Sequence, residues 1–564
     1  MKGLTTGNRA LLWCILMLIC QVGQVSAQTD AQSNQSKKSD QRLDAQQYME
    51  ILGTAVRTLQ TYYVDSVDWS RVLTAGIDAM LNELDPYTEF YNEKDQSEFK
   101  TMTTGEYAGV GAIIMQMGDT VCVSEPYDGM PATEAGLRPG DRILSIDGEN
   151  MVKRTTAYVS EHLRGQPNTT FELCFLRPGE SETRTVNVTR RKILLDVVPY
   201  AGWYNDSIGY IELNNFTDKA ALEVQDAIMA LRNDEGKVAA GSTQPRRLKG
   251  LILDLRGNPG GLVDEAVKIV GMFVEKGSTV VENKAKISEW NSIYRTNASP
   301  IEPTLPMAVL IDRSSASASE ITSGTLQDLD RAVIIGERSY GKGLVQSSRP
   351  LPYNTLIKLT TAKYYIPSGR CIQAIDYQAK RMARWEAGED AADLGRIPDS
   401  LTHVFHTKAG REVRDGGGIK PDIEIRPDTM SHLAYYLQRE LRFFHFANRV
   451  HNTYSSMPEI NDSLYADFCR EVEATRRDTL LKLMNIDLKH DLDSLRSTIS
   501  SLLQQELYLR YYFRRGAIQY SVGQDKVVRE AAAVLGNEKR YREILSNPQL
   551  NPNNKKSKRS KSKK

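Results

Sequence analysis

Three short apolar runs, "GLILDLR" (250–256), "MAVLIDR" (307–313) and "RAVIIGE" (331–337), alternate with helical patterns between about Val197 and Arg426. Strand runs of this length, separated by helices, leave a chain few choices. Each helix must cover a sheet face, and successive strands then lie largely parallel. The spacing predicts an α/β core. Around it the pattern changes. From about Leu43 to Lys100, "YMEILGTAVRTLQTYYV" and "WSRVLTAGIDAMLNELDPY" place apolar residues at helical intervals. Gly105 to about Lys192 reads as short strands and turns, and Ser431 to Leu545 as helices rich in Arg, Glu, Leu and Tyr. At 564 residues the chain exceeds a single core, and ~3–5 domains are expected.

The ends differ in composition from the body. "MKGLTTGNRALLWCILMLICQVGQVSA" has Lys2 and Arg9, an apolar run from Ala10 to Cys20 and small residues up to Ala27. That is the layout of a secretory signal peptide, and the run is shorter than the ~20 residues a spanning helix needs. Retention as an anchor is the alternative; a lipidated start at Cys20 is disfavoured by the bulky Ile19 before it. The next stretch, to Leu43, is a polar linker. The last ten residues, "KKSKRSKSKK", carry seven positive charges. Taking these and the two leader charges from the net +1 leaves the body at about −8. A tail without apolar residues is expected to be disordered and solvated; contact with anionic lipid is its other reading. Cys122, Cys174, Cys371 and Cys469 remain after the leader, with no CxxC. Neither a zinc site nor a dense disulfide scaffold is indicated; a single bridge, if formed, would join Cys122 to Cys174.

The chain lacks HExxH, GxSxG, a Walker loop and paired CxxC, so no metal or cofactor is expected. None of the seven histidines sits in a nucleophile–base–acid pattern. A serine nucleophile can instead use a lysine that burial keeps neutral. The run "SSASASE" (314–320) follows "VLIDR" as strand, turn and helix start, where backbone N–H groups and the helix dipole favour developing negative charge. "RSYGKGLVQ" offers Lys342 between two glycines, expected to let the base approach the nucleophile, with Gln346 four residues on. The glycines of "LDLRGNPGG", Gly260 and Gly261, offer a further backbone N–H. Each feature alone also reads as a structural turn. Separately, "EYAGVGAII" sets Gly109, Val110 and Gly111 before an apolar strand, and "MPATEAGLRPGDRILSIDGEN" follows as turn, strand and turn. Such a glycine loop can aim N–H groups at a peptide's terminal carboxylate beside an open strand edge.

Together these motifs resemble the carboxy-terminal processing peptidases, or tail-specific proteases. The resemblance runs from Asp44 to Pro427 through "MLNELDPYTEFY", "AGLRPGDRILSIDG", "LRG", "LDLRGNPGG", "SSASASEI", "YGKGLVQ", "KLTTAKYYIPSGRCIQ" and "GGIKPDI". It implies a Ser-Lys dyad: Ser317, the middle serine of the S-A-S-A-S pattern, as nucleophile and Lys342, 25 residues later, as base, with Gln346 supporting it. The remaining serines then divide: Ser314 or Ser315 caps the helix and Ser319 packs. The resemblance further implies oxyanion donors at Ala318 and at Gly260 or Gly261, peptide capture at Gly109, Val110 and Gly111, gating by Arg164, and a structural Asp328.

The implied fold is multidomain α/β. It comprises a signal peptide (1–27), polar linker (28–43), N-terminal helices (44–104), a PDZ domain (105–192), a ClpP/crotonase-like peptidase core (193–428), a C-terminal helical domain (429–547) and a basic tail (548–564). The implied activity is ATP-independent endoproteolysis in the periplasm or cell envelope, on proteins recognised by their C-terminal tails. Homo-oligomerisation, an adaptor lipoprotein and peripheral membrane contact through the tail are the partners it suggests; nucleic acid is not among them, for lack of any recognition motif. The rival reading is a PDZ scaffold that binds tails without cutting, which the intact Ser317, Lys342 and Gln346 disfavour.

Overall fold

The computed structural model describes residues 44–93, 104–239, 241–377, 397, 399–426 and 428–546. The expected signal peptide, linker and basic tail lie outside them. The described residues fall into two compact units, divided between Ala79 and Met80. The first holds helix α1 (Ala45–Tyr62) and most of α2 (Trp69–Asn82). Asp44 caps α1 by accepting the Gln47 N–H while the Gln47 side chain accepts the Asp44 N–H. No residue of α1 is buried, and Tyr48, Leu52 and Tyr62 are exposed.

In the second unit, strand β1 (Glu89–Tyr91) precedes the PDZ domain. That domain contains β2 (Glu106–Gly109), β3 (Ala112–Met117), β4 (Thr120–Pro126), helix α3 (Pro131–Glu134), β5 (Arg142–Ile146), β6 (Glu149–Asn150), α4 (Thr156–Leu163), β7 (Thr170–Leu176), β8 (Arg184–Thr189) and β9 (Arg191–Leu194). Its sheet runs β3-β4-β5-β7-β8, leaving β3 at the edge. Cys122 on β4 and Cys174 on β7 are both free, so the one bridge the sequence allowed is not formed. With β5 between them they lie two strand spacings apart, ~9–10 Å, beyond the ~7 Å Cα reach of a disulfide.

The core follows as β10 (Tyr200–Asn205), β11 (Ile208–Glu212), α5 (Ala220–Asn233), β12 (Gly250–Asp254), α6 (Val263–Gly271), β13 (Thr279–Ala285), β14 (Ser292–Arg295), β15 (Met307–Ile311), α7 (Ala318–Asp328), β16 (Val333–Gly336), β17 (Leu344–Leu351), β18 (Thr355–Tyr365), β19 (Val404–His406), β20 (Glu412–Arg414) and β21 (Ile423–Glu424). The main sheet runs β10-β11-β12-β15-β16-β21, parallel from β11 onward. The runs quoted at the outset are its central strands, and α5, α6 and α7 pack on one face through Leu251, Leu253, Val309 and Ile311. A second sheet, β1-β18-β13-β14 with β17 on β18, stands beside it.

The C-terminal helices α8 (His432–Arg439), α9 (Arg442–Thr453), α10 (Asp462–Ala474), α11 (Asp478–Leu483), α12 (Leu488–Ser494) and α13 (Arg496–Gln524) build their own core around Phe446, Phe468 and Leu503. Helix α13 breaks at Phe513, whose φ of 54° is not helical. Beyond it the packing partner changes. Helix α14 (Lys526–Leu535) places Val528, Ala531 and Val534 against Ile252, Leu310 and Ile335, and α15 (Glu538–Leu545) adds Tyr541. The last two helices therefore cover the second face of the main sheet. Among the described residues no helix is long and apolar enough to cross a membrane.

Candidate active site

The site stands at the carboxyl ends of β12, β15 and β16, where loops of a parallel sheet converge. After β15 the chain turns sharply and enters α7. Ser317 occupies the N-cap position with φ 55° and ψ −114°, a conformation costing a non-glycine residue ~1–3 kcal/mol. The surroundings hold it there. The Ser317 N–H donates to Glu320 Oε2 at 2.9 Å, the Ala316 N–H to the Asn258 carbonyl at 3.1 Å, and Ser319 Oγ to the same carbonyl at 2.9 Å. Ser315 Oγ donates to the Leu255 carbonyl, and Asp312 accepts the Ser314 and Ser315 N–H groups. The cap position thus belongs to Ser317, not to Ser314 or Ser315, whose N–H groups close a turn one step earlier; Ser319 is buried with its hydroxyl bonded.

The glycine loop after β12 lies against this turn. A Cβ on Gly260 would stand 2.8 Å from both Ser317 Cβ and the Ala318 nitrogen, and 2.6 Å from the Ala316 carbonyl. One on Gly261 would instead strike the Phe216 carbonyl at 2.3 Å. The Gly260 N–H donates to Asn258 Oδ1 at 2.9 Å and the Gly260 carbonyl accepts from Phe216. The N–H groups of Gly261 and Ala318 have no acceptor among the described residues.

Lys342 lies in the loop between β16 and β17. Its flanking glycines serve a different contact from the one expected. A Cβ on Gly341 would meet Ala374 Cβ at 2.3 Å, and one on Gly343 the Gln373 nitrogen at 2.7 Å. They admit the Gln373–Ala374 backbone rather than the Ser317 turn. What joins the two turns is Glu320, fully buried at the first turn of α7. Its Oε2 accepts the N–H groups of Ser317 and of Lys342 (2.8 Å), and its Oε1 those of Gly341 (2.7 Å) and the Ser339 hydroxyl (2.5 Å). Burial pushes its pKa up to about 7 against the pull of these donors. Tyr364, also buried, donates its hydroxyl to the Lys342 carbonyl and lies 3.3 Å from the Ser317 carbonyl. One carboxylate and one phenol therefore brace both turns.

The Lys342 ammonium sits 4.4 Å from the Tyr87 ring centroid. Burial lowers its pKa, the nearby Lys358 charge lowers it further, and Glu89, Glu320 and Asp85 act in the opposite direction. No hydrogen bond joins Lys342 Nζ to Ser317 Oγ among the described residues. Gln346 lies on β17, its side-chain amide donating to the Leu344 carbonyl and Thr360 Oγ1; it makes no hydrogen bond to Lys342. Asp328 pairs with the buried Arg370 at 2.8 Å. Among the described residues no three His, Cys, Asp or Glu side chains could hold a metal.

In the PDZ domain Gly109, the last residue of β2, and Val110 and Gly111, in the loop from it into edge strand β3, are all buried. The Val110 and Gly111 carbonyls accept from Ala132 and Tyr127, while their N–H groups have no acceptor among the described residues. Arg164, just past α4, holds its guanidinium 5.3 Å from the Tyr107 ring beside this loop and makes no contact with Ser317 or Lys342. The sequence reading passed over Glu320, Tyr364 and Tyr87. The spacing S-x-x-E at 317–320 was the one available signal, as a capping-box pattern.

Residues 207–379 match the model of peptidase family S41, residues 122–177 a PDZ domain, and residues 474–535 the C-terminal helical domain of probable PDZ-proteases. A probable CtpA-like serine protease of Staphylococcus aureus (strain N315) is 30% identical over 448 residues, 76% of this chain and 83% of that one. A carboxy-terminal-processing protease of Bartonella bacilliformis is 35% identical over 325 residues, 57% of this chain and 72% of that one. The solved photosystem II D1 C-terminal processing protease shares 26% identity over 66% of this chain and 86% of its own, at a TM-score of 0.34. With the S41 and PDZ segments in order and a relative of this identity spanning most of both chains, the protein belongs to peptidase family S41, among the carboxy-terminal-processing serine proteases.

Proposed function

We propose that the chain is an ATP-independent serine endopeptidase that captures substrate C-terminal tails on its PDZ domain and cleaves with Ser317 and Lys342. Neutral Lys342 takes the Ser317 Oγ proton as Oγ bonds to the scissile carbonyl carbon. The oxyanion forms against the Ala318 and Gly261 N–H groups. Gly261 is the better donor of the glycine pair because the Gly260 N–H is already bound to Asn258. In a trans peptide the Gly261 N–H points opposite to the Gly260 carbonyl, hence away from Phe216. Collapse breaks the C–N bond, and Lys342 returns its proton to the leaving amine. Water, deprotonated by Lys342, then releases the acyl group, and the proton passes back to Ser317 Oγ.

The observation that carries this reading is the shared clamp, Glu320 and Tyr364, which holds the strained Ser317 turn and the Lys342 turn as one body. The Lys342 ammonium rests against the Tyr87 ring, 4.4 Å from its centroid, and the base acts once its Nζ comes within hydrogen-bond reach of Ser317 Oγ. An incoming tail adds as a strand to β3 with its carboxylate at the Val110 and Gly111 N–H groups, and Arg164 stands beside that end. The leader's layout supports secretion to the periplasm or envelope, and the apolar face of α1 supports self-association, testable by sedimentation of Leu52→Glu. Mapping of new protein C-termini in cells carrying wild-type or Ser317→Ala protein tests the whole. The Ser317→Ala and Lys342→Ala proteins should leave substrate tails uncut; wild-type cleavage by both would sink the dyad.

A further inference from the structure

The oxyanion loop is tied to the C-terminal helices by one side chain, Arg256. Its Nε and Nη2 hold Asp254, a buried carboxylate at the end of β12 that also accepts the Tyr210 hydroxyl at 2.8 Å. Its Nη1 donates to Asp525 Oδ2 at 2.7 Å. Asp525 is the hinge between α13 and α14, and its Oδ1 caps α14 by accepting the Val527 and Val528 N–H groups. The loop begun by Arg256 is bonded throughout to the nucleophile turn. The Gly257 N–H donates to Asp312 Oδ1 at 3.0 Å, Ser315 Oγ to the Leu255 carbonyl and the Ala316 N–H to the Asn258 carbonyl.

Arg256, Asp525, Asp312 and Tyr210 line a cavity of about 440 Å³ at the carboxyl ends of β11, β12 and β15. The Arg256 guanidinium borders this space, and its hydrogen-bond partners are the two carboxylates. We infer that Asp525, acting through Arg256, is a positioning residue for peptide cleavage: the C-terminal helices set the oxyanion loop against Ser317. This rests on the oxyanion assignment proposed above. Neither residue touches substrate. Their loss misplaces the Gly261 N–H, and a catalytic group moved by about 1 Å can cost ~100-fold in rate.

The test uses the full chain and fluorescein-labelled casein as probe substrate. Asp525→Asn keeps the helix cap, since Asn caps as well as Asp, but removes the charge facing Arg256. Arg256→Lys keeps the charge but loses the fork. Both should lower kcat by ~10-fold or more, with KM, binding of a fluorescent peptide with an apolar C-terminus, and Tm all near wild type; Asp525→Glu should recover part of the rate. Asn537→Ala, which removes the cap of α15, is the stability control and should lower Tm alone. Wild-type kcat in both variants, a change confined to KM, or a kcat loss that merely tracks Tm would overturn the inference. Should Ser317→Ala cut casein at the wild-type rate, the peptidase reading itself fails; should it be inactive while Asp525→Asn is fully active, only the coupling fails.

Discussion

A lysine base works only when neutral, and at Lys342 burial and the Lys358 charge both push that way. The folded chain therefore gives up this proton at lower pH than the unfolded chain. The group's contribution to stability grows with pH up to the ordinary value of 10.5, and its burden is full below the lowered value. Activity follows the same proton: kcat/KM should rise with pH through a midpoint below 10.5. Lys358→Met removes a repelling charge and frees Glu89 to act on Lys342, so the rising limb should move to higher pH; a pH–rate profile that stays in place would count against Lys342 as base. Glu320 makes a second prediction. Glutamine would turn two N–H donors toward groups that are themselves donors, leaving buried N–H groups unmet at ~1–3 kcal/mol each. Glu320→Gln should lose ~100-fold in kcat and about 2 kcal/mol in urea unfolding. The resemblance could single out Ser317 and Lys342 because the family pattern and its spacing of 25 residues lie along the chain. Glu320 and Tyr364 were not legible, because their partners are mostly backbone groups that only the fold brings near.

Elements show the same division between what a chain carries locally and what packing decides. The edge position of β3 and the glycine loop before it follow from local pattern, and the structure puts both where a peptide strand can add. The purpose of a glycine is less local. Those beside Lys342 face Gln373 and Ala374, contacts that no spacing announces. Gly111 has φ +71°, and a Cβ there would stand 2.5 Å from Met130 Cβ. Gly111→Ala should therefore move the loop that presents the Val110 and Gly111 N–H groups, weakening binding of a peptide with an apolar C-terminus ~10-fold by fluorescence anisotropy. Gly118, at φ +63° with open space around it, is the matched control. Gly118→Ala bears similar backbone strain and should bind peptide as wild type does; equal losses at both positions would trace the effect to strain and not to the loop.

For the whole molecule, helical periodicity after Ser431 was readable but its partners were not, because an amphipathic stripe does not say what it will cover. The first six helices make a core of their own; the last two cover the protease sheet with residues far along the chain from the strands they touch, as the Tyr541 hydroxyl bonded to the Met307 N–H, 234 positions away, illustrates. The second face of the catalytic sheet is therefore covered only when these last helices are in place. Without α14, Ile252, Leu310 and Ile335 would face water, each buried side chain being worth ~1.5–3 kcal/mol. Val528→Asp places a charge in that fully buried seam and should destabilise the protease core by ~3–5 kcal/mol, abolishing cleavage although no active-site atom changes. Leu483→Asp, at an exposed position of the separate helical core, should leave Tm and activity within error of wild type. Calorimetry and casein cleavage on the two variants decide the matter: an active, stable Val528→Asp protein would make the last helices an appendage, whereas its joint loss of fold and activity would make them the cover that the sheet's second face requires.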